Sequence, residues 1–287
     1  MTMNPLLLQI RMPDIDPVIF HLGPVAIRWY GFSYLLGFLV GWAILRKLAK
    51  RGLLPLAGEQ ISDLLTALML GVILGGRLGY VLFYKPLFYL GHPLEIIAFW
   101  DGGMSFHGGL IGVALACFLF ARKAGISFLS IIDATCIATC PGIFFTRMAN
   151  FINQELWGRP TDVPWAVVFS NPAAGGIPRH PSQIYEGLLE GVLLFCVLWF
   201  LSTRRAMRRP GALACSFLIG YGTLRFVVEF FREPDRHLGT VLGPFSMGQV
   251  LSSGMILVGA TGLIRILIRS RDRGTDMLQM DNPPEEP

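Results

Sequence analysis

Arg147 and Asn150 stand three residues apart in TRMANFINQELWGR, residues 146–159, directly after the apolar stretch ISFLSIIDATCIATCPGIFF. If the helix implied by that stretch continues, the two share a face. With Asn153 and Glu155 they gather a planar cation, amides and a carboxylate at a depth where such groups are costly unless used. A guanidinium fork suits a phosphate or a carboxylate. The plainer alternative is that the Asn and Glu side chains only cap and tie down a loop.

Four further constellations carry polar groups into apolar surroundings. In IGYGTLRFVVEFFREPD, residues 219–235, Tyr221, Arg225 and Glu229 recur every four residues and so form a stripe on one helix face. Arg225 and Glu229 are able to neutralise each other there, but a second intramembrane arginine is also what an anionic headgroup requires. In WDGGMSFHGGLIG, residues 100–112, His107 lies between two Gly-Gly pairs, which admit a bulky substrate beside a base that works near neutral pH. In GVILGGRLGYVLFY, residues 71–84, Arg77 is flanked by Gly75, Gly76 and Gly79; either it serves a ligand or it pairs with Asp133 or another helix carboxylate. In PRHPSQIYEGLLEG, residues 178–191, Ser182 is a candidate helix cap, and His180 has a structural or a functional role. Glu186 and Glu190, four apart, need partners inside the protein.

The elements that hold these residues are apolar helices. Of 287 residues 53% are hydrophobic and 15% charged, against about a quarter charged in a soluble domain. Mean hydropathy is +0.56. A spanning helix needs about 20 mostly apolar residues. Seven segments meet this, over 26–45, 61–83, 105–121, 129–148, 182–201, 212–231 and 247–268. The expected fold is an all-α integral membrane protein of seven transmembrane helices, a single domain over residues 1–273. Trp29, Tyr30, Trp100, Trp157, Trp165 and Tyr185 fall near span ends, as an aromatic belt does.

Orientation follows from the basic residues. Arg46, Lys47, Lys50 and Arg51 follow the first span, Arg122 and Lys123 the third, and Arg204, Arg205, Arg208 and Arg209 the fifth. Arg265, Arg269, Arg271 and Arg273 end or follow the seventh. The N-terminus is therefore expected outside and the C-terminus in the cytoplasm. Residues 149–181, between helices 4 and 5, become an extracytoplasmic loop region, and residues 274–287 a flexible cytoplasmic tail.

Several chemistries are disfavoured. Cys117, Cys136, Cys140, Cys196 and Cys215 lie in apolar runs with no metal-ligand spacing, so they read as packing residues. GxSxG, HExxH, phosphate-loop and dinucleotide fingerprints are lacking. Catalysis is expected to rest on polar side chains, with no cofactor and no metal. The net charge of +5 collects on one membrane side, so nucleic acid is not an expected partner. No cleavable signal peptide is evident at the start.

These motifs resemble the bacterial phosphatidylglycerol–prolipoprotein diacylglyceryl transferases over nearly the whole chain. The resemblance is carried by IDPVIF and IRWYG (15–31), GGRLGYVLFY, DGGMSFHGGLIG, NFINQELWGR, PRHPSQIYE, YGTLRFVVEFFREPD and SMGQ (246–249). It implies an enzyme of the bacterial plasma (inner) membrane, multi-pass, with its active site toward the extracytoplasmic side. Its partners would be phosphatidylglycerol, the signal peptides of prolipoproteins with a lipobox cysteine, and membrane lipids. The diacylglyceryl group passes to the cysteine thiol, a thioether forms and glycerol phosphate leaves. His107, Arg147, Asn150, Glu155, Tyr221, Arg225, Glu229 and Tyr30 match the family's important positions; Tyr30, Gly158 and His180 join the two arginines as candidates for binding phosphatidylglycerol. Two positions depart from the family pattern, Thr146 and Gln154, where glycine is usual.

The physics of the sites agrees with that implication. A thiol must approach the thiolate to attack, and charge grows on the phosphate as the C–O bond breaks, which Arg147 and Arg225 are suited to stabilise. His107 is the expected base. The competing class is a phospholipid or anionic-lipid transporter, which predicts inverted repeats and broken helices; the sequence displays neither.

Overall fold

The computed structural model describes residues 10–23, 25–98, 102–233, 240–242 and 245–281. Trp100 of the expected aromatic belt, Pro234 and Asp235 of the 219–235 motif, and residues 282–287 of the expected tail lie outside the described residues. Among the described residues the chain is mostly helical, and six helices are long and apolar enough to cross a membrane. Two compact units are present, residues 1–41 with 136–287, and residues 42–135.

The second unit contains the end of α1 (Trp29–Lys50), α2 (Gly58–Phe83), the short α3 (Pro86–Gly91), a 3-10 turn (Pro93–Ile97), α4 (Phe106–Ala124) and the start of α5 (Phe128–Ile152). Glycines decide how α2 meets α4. A Cβ on Gly75 would lie 2.4 Å from the Gly108 carbonyl oxygen, and one on Gly112 would lie 2.1 Å from that of Gly71. The two backbones touch, which only small residues permit. Ser105 caps α4 by accepting from the Gly108 N–H at 3.2 Å.

Arg77 corrects an expectation. Its guanidinium meets backbone carbonyls rather than Asp133 or a helix carboxylate: Nε donates to Ile96 at 2.9 Å, Nη1 to Gly102 at 2.6 Å, and Nη2 to Glu95 at 2.5 Å. Its charge also lies 5.2 Å from the Tyr89 ring centroid. The Glu95 carbonyl also accepts from the Ala98 N–H, at 3.2 Å; with its bonds to Ile96 and Gly102 as well, the buried arginine tethers the connection between α2 and α4. Arg77 is a structural residue.

The first unit holds the start of α1, most of α5, α6 (Ser182–Glu186), a π-helical turn (Gly187–Leu193), α7 (Leu194–Leu201), α8 (Ala212–Val228) and α9 (Met247–Asp281). The run Ser182–Leu201 is one continuous helix of 20 residues. The sixth expected span, over 212–231, is shorter than anticipated: α8 has 17 residues and ends at Val228. Ser182 is not a cap either; Pro181 takes that position, and the Ser182 hydroxyl donates to the Leu156 carbonyl at 3.0 Å.

The all-α expectation misses short strands. β1 (Ile10–Arg11) pairs in parallel with β4 (Val167–Val168), which pairs antiparallel with β5 (Pro178–Arg179). β2 (Val18–Leu22) and β3 (Val25–Arg28) form a hairpin, as do β6 (Thr240–Leu242) and β7 (Phe245–Ser246). Around the first sheet, residues 149–181 build a small core of their own from Val167, Phe169 and Ala174, packed by Met12, Phe151 and Trp157. Segments of two residues carry no alternating pattern, which is why the sequence does not announce them.

Candidate active site

α5 continues through Arg147 and Asn150 to Ile152, so the two do share a helix. From that helix Arg147 reaches the run after Pro181: its Nη2 lies 2.7 Å from Glu186 Oε2. Arg225, on α8, sends Nη1 to the same oxygen at 2.9 Å. Its Nη2 lies 2.9 Å from Glu229 Oε2, one turn further along α8. Glu190 stands behind, 3.9 Å from Arg147 and 3.7 Å from Arg225. The Glu186 and Glu190 side chains have no exposure, while those of Arg147 and Arg225 keep 18% and 13%. The carboxylates are sealed in, and the arginine side chains are not.

Local sequence explains this approach. Gly187 and Gly191 turn toward α5, where a Cβ would meet Met148 at 2.9 Å and Phe144 at 2.7 Å respectively. The helices therefore close until Arg147 touches Glu186. Tyr221 stacks on Phe217, one turn away, with ring centroids 5.6 Å apart. It lies within electrostatic range of Glu190, Arg147, Arg225 and Glu186.

Glu229 is held from the other side. The Ser246 hydroxyl donates to its Oε1 at 3.0 Å. Ser246 also opens α9 in a reciprocal cap: the Gln249 N–H donates to the Ser246 hydroxyl oxygen, and the Ser246 N–H to Gln249 Oε1. This S-x-x-Q box accounts for two residues of SMGQ. Gly248 accounts for a third, since a Cβ there would lie 2.8 Å from the Glu229 carboxylate.

A second group forms at the end of α5. Asn150 Nδ2 donates to Glu155 Oε1 at 2.7 Å and lies 3.4 Å from the Tyr30 hydroxyl. The Glu155 N–H returns to the Asn150 carbonyl at 3.0 Å. Asn150, Glu155 and Tyr30 thus tie one another in place, yet Asn150 Oδ1 is buried with no partner. An unsatisfied buried carbonyl of this kind is uncommon.

Gln154 has φ 52°, the left-handed region where glycine is cheap. Its side chain compensates: Nε2 donates to Ser170 Oγ at 2.7 Å and to the Pro13 carbonyl at 3.2 Å, and Oε1 accepts from the Asn171 N–H at 3.1 Å. Gly158 is wedged between backbones; a Cβ would lie 2.6 Å from both the His180 and Phe231 carbonyl oxygens. Its carbonyl accepts from Arg179, which also pairs with Glu233.

His180 sits in an aromatic group, its Nδ1 3.2 Å from the Tyr185 hydroxyl and its ring 5.2 Å from that of Phe231. Burial lowers its pKa below the ordinary imidazole value. Of the expected site residues, then, Arg147, Tyr221, Arg225 and Glu229 come together in one cluster, and Tyr30, Asn150 and Glu155 in another. Gly158 and His180 belong to the packed loop. His107 is exposed at the start of α4, in the second unit, with its ring edge-on to Phe106. Glu186 and Glu190 were not expected among the site residues. The signal for them was two carboxylates four apart in an apolar helix.

Membrane-length helices and an ion cluster buried between them define a multi-pass membrane protein with an internal polar site. The sequence model of the prolipoprotein diacylglyceryl transferases matches residues 17–265. Curated relatives named phosphatidylglycerol–prolipoprotein diacylglyceryl transferase include one from Geobacter sulfurreducens, 49% identical over 92% of this chain and 99% of its own length. Another, from Bordetella avium, is 53% identical over 88% of this chain and 94% of its own. A third, from Rhodospirillum centenum, is 49% identical over 89% and 93%. The chain belongs to the prolipoprotein diacylglyceryl transferase family.

Proposed function

We infer that this chain transfers the diacylglyceryl group of phosphatidylglycerol to the lipobox cysteine thiol of prolipoproteins, the first step of lipoprotein maturation. The observation that carries the reading is the meeting of Arg147 and Arg225 on one oxygen of Glu186, at 2.7 and 2.9 Å, with both arginine side chains partly exposed. Two forks held side by side in a mostly dry site suit a single phosphate group.

In this reading the arginines hold the phosphate while the thiol sulfur attacks the terminal glycerol carbon of the diacylglyceryl group. The S–C bond forms, the C–O bond breaks, and its electron pair leaves on the glycerol phosphate. The arginines stabilise that charge. His107 is assigned the base role on its glycine-flanked motif, and the thiol proton ends on the released phosphate. Tyr221 and Glu229 orient the arginines, and Asn150, Glu155 and Tyr30 shape the mouth of the site beside them. Gly158 and His180 act through the loop.

The same reading counts α8 as a seventh span, with the N-terminus outside and the C-terminus in the cytoplasm of a bacterium, the protein crossing its plasma membrane. The basic residues at the ends of α1 and α4 and after α7 support it. Residues 149–181 then face the extracytoplasmic side, where a translocated lipobox peptide arrives. The relatives named above are transferases, and no observation favours the transporter reading.

The test supplies purified protein with phosphatidylglycerol labelled in its acyl chains and a lipobox peptide. Stoichiometric thioether product with release of glycerol phosphate is expected. Movement of intact phosphatidylglycerol between leaflets without product would establish a transporter instead. In the same assay, near-full activity of His107→Gln would remove the base assignment.

A further inference from the structure

The rare feature of the site is its third wall. Helix turns of the π type are uncommon and gather at functional positions, and the turn over Gly187–Leu193 begins directly after Glu186 and carries Glu190. Two pairs run in parallel along it. Gly187 and Gly191 lie against α5, while Glu186 and Glu190 face the guanidiniums. Neither glutamate side chain is exposed, and Glu186 Oε1 has no hydrogen-bond partner.

Charge makes the arrangement informative. Two guanidiniums meet three carboxylates, those of Glu186, Glu190 and Glu229. A cluster whose only task was to attract an anion would not surround its arginines with so much negative charge. Glu186 Oε2 instead occupies the point between Arg147 and Arg225 that one phosphate oxygen would take.

We propose that Glu186 and Glu190 are positioning residues, which hold Arg147 and Arg225 at phosphate-binding separation and compete with the bound anion so that glycerol phosphate is released. This rests on the assignment of the two arginines to the phosphate. Glu186 keeps the guanidiniums from splaying when the site is empty. Its charge, opposing that of the phosphate across a few ångströms of dry protein, weakens the hold on the doubly charged product more than on the singly charged lipid. Glu190, farther from both arginines, contributes in the same sense and more weakly.

The experiment compares Glu186→Gln and Glu190→Gln with the parent in the full-length, detergent-purified protein. It reads kcat, KM for phosphatidylglycerol, the inhibition constant of added glycerol phosphate, and thermal unfolding. For Glu186→Gln, kcat should fall by about 10-fold or more while the inhibition constant of glycerol phosphate also falls, by about 10-fold, as one opposing charge is removed. Glu190→Gln should shift both in the same direction by less, and decides the matter if Glu186→Gln fails to fold.

A role in folding alone lowers kcat by loss of intact protein and leaves KM and the inhibition constant where they were. That outcome overturns the proposal, as do parental values for all constants or a weaker hold on glycerol phosphate. Arg147→Ala separates the two levels. If it leaves KM and the inhibition constant unchanged, the phosphate assignment itself has failed. If it weakens both while the glutamate variants behave as the parent, the assignment stands and the positioning role does not.

Discussion

Arg225 and Glu229, four residues apart on one helix, close an ion pair at 2.9 Å while the other end of the same guanidinium holds Glu186 at 2.9 Å across to a second helix. A planar fork with two terminal nitrogens makes both contacts at once; a single ammonium does not reproduce that geometry. Arg147 touches Glu186 through Nη2 alone. Arg225→Lys should therefore lose transfer activity by about 100-fold or more, and Arg147→Lys by distinctly less, on the scale of removing one charge-stabilising donor. Initial rates with saturating lipobox peptide check the order.

Removing a partner from a buried ion cluster costs about 3–5 kcal/mol, because the remaining charge stays buried and uncompensated. Arg225→Ala leaves Glu186 and Glu190 with Arg147 alone, and takes from Glu229 its arginine partner. It should be the least stable single variant of the cluster, and Arg225→Ala with Glu186→Gln should recover part of the loss. Unfolding in detergent, followed by tryptophan fluorescence, measures both.

At Gln154, backbone and side chain pull against each other. A left-handed φ costs a non-glycine residue about 1–2 kcal/mol, while the side chain anchors Pro13, Ser170 and Asn171. Gln154→Ala keeps the strain and loses the anchors; Gln154→Gly loses the anchors and the strain together. Alanine is expected to be worse than glycine by about 1 kcal/mol. Limited proteolysis of residues 149–181 should rank them parent, glycine, alanine, from most to least resistant.

The contact of α2 with α4 sets a steric test with its own control. Gly75→Ala places a methyl 2.4 Å from a carbonyl oxygen, whereas Gly109→Ala meets nothing closer than the Val72 carbonyl oxygen at 3.7 Å. Overpacking of this kind costs about 1–3 kcal/mol or more. Gly75→Ala should lower the unfolding temperature by several degrees, and Gly109→Ala should leave it near the parent.

His180 makes a prediction in pH. Its pKa is lowered by burial, so the unfolded chain binds the proton first as pH falls through the ordinary imidazole range of about 6.5. Above that range His180 is neutral in both states and contributes no pH dependence. Below it the folded loop loses stability progressively. Unfolding temperatures at pH 8 and pH 5.5 should differ less in His180→Gln than in the parent.

Much of this was legible in the sequence, for reasons that differ by residue. Arg147, Arg225, Tyr221 and Glu229 announce themselves because a polar group in an apolar helix is expensive, and the four-residue spacing of Tyr221, Arg225 and Glu229 fixes their common face. Glu186 and Glu190 carried the same signal, but spacing alone does not say which helix brings their partners. Arg77 was read as serving a ligand or pairing with a carboxylate; its carbonyl partners lie in a connection whose shape no periodicity encodes. Gln154 was visible only as a departure from glycine, and the compensating bonds come from residues up to 141 positions away. The two-residue strands and the π-helical turn leave no pattern to read.

The central claim is that Arg147 and Arg225 together hold the phosphate of phosphatidylglycerol. The direct measurement is transfer of labelled diacylglyceryl to a lipobox peptide by purified, folded Arg147→Ala and Arg225→Ala. Loss of about 100-fold or more in each, with weaker inhibition by glycerol phosphate, is the predicted result. Unimpaired transfer by either variant would contradict it.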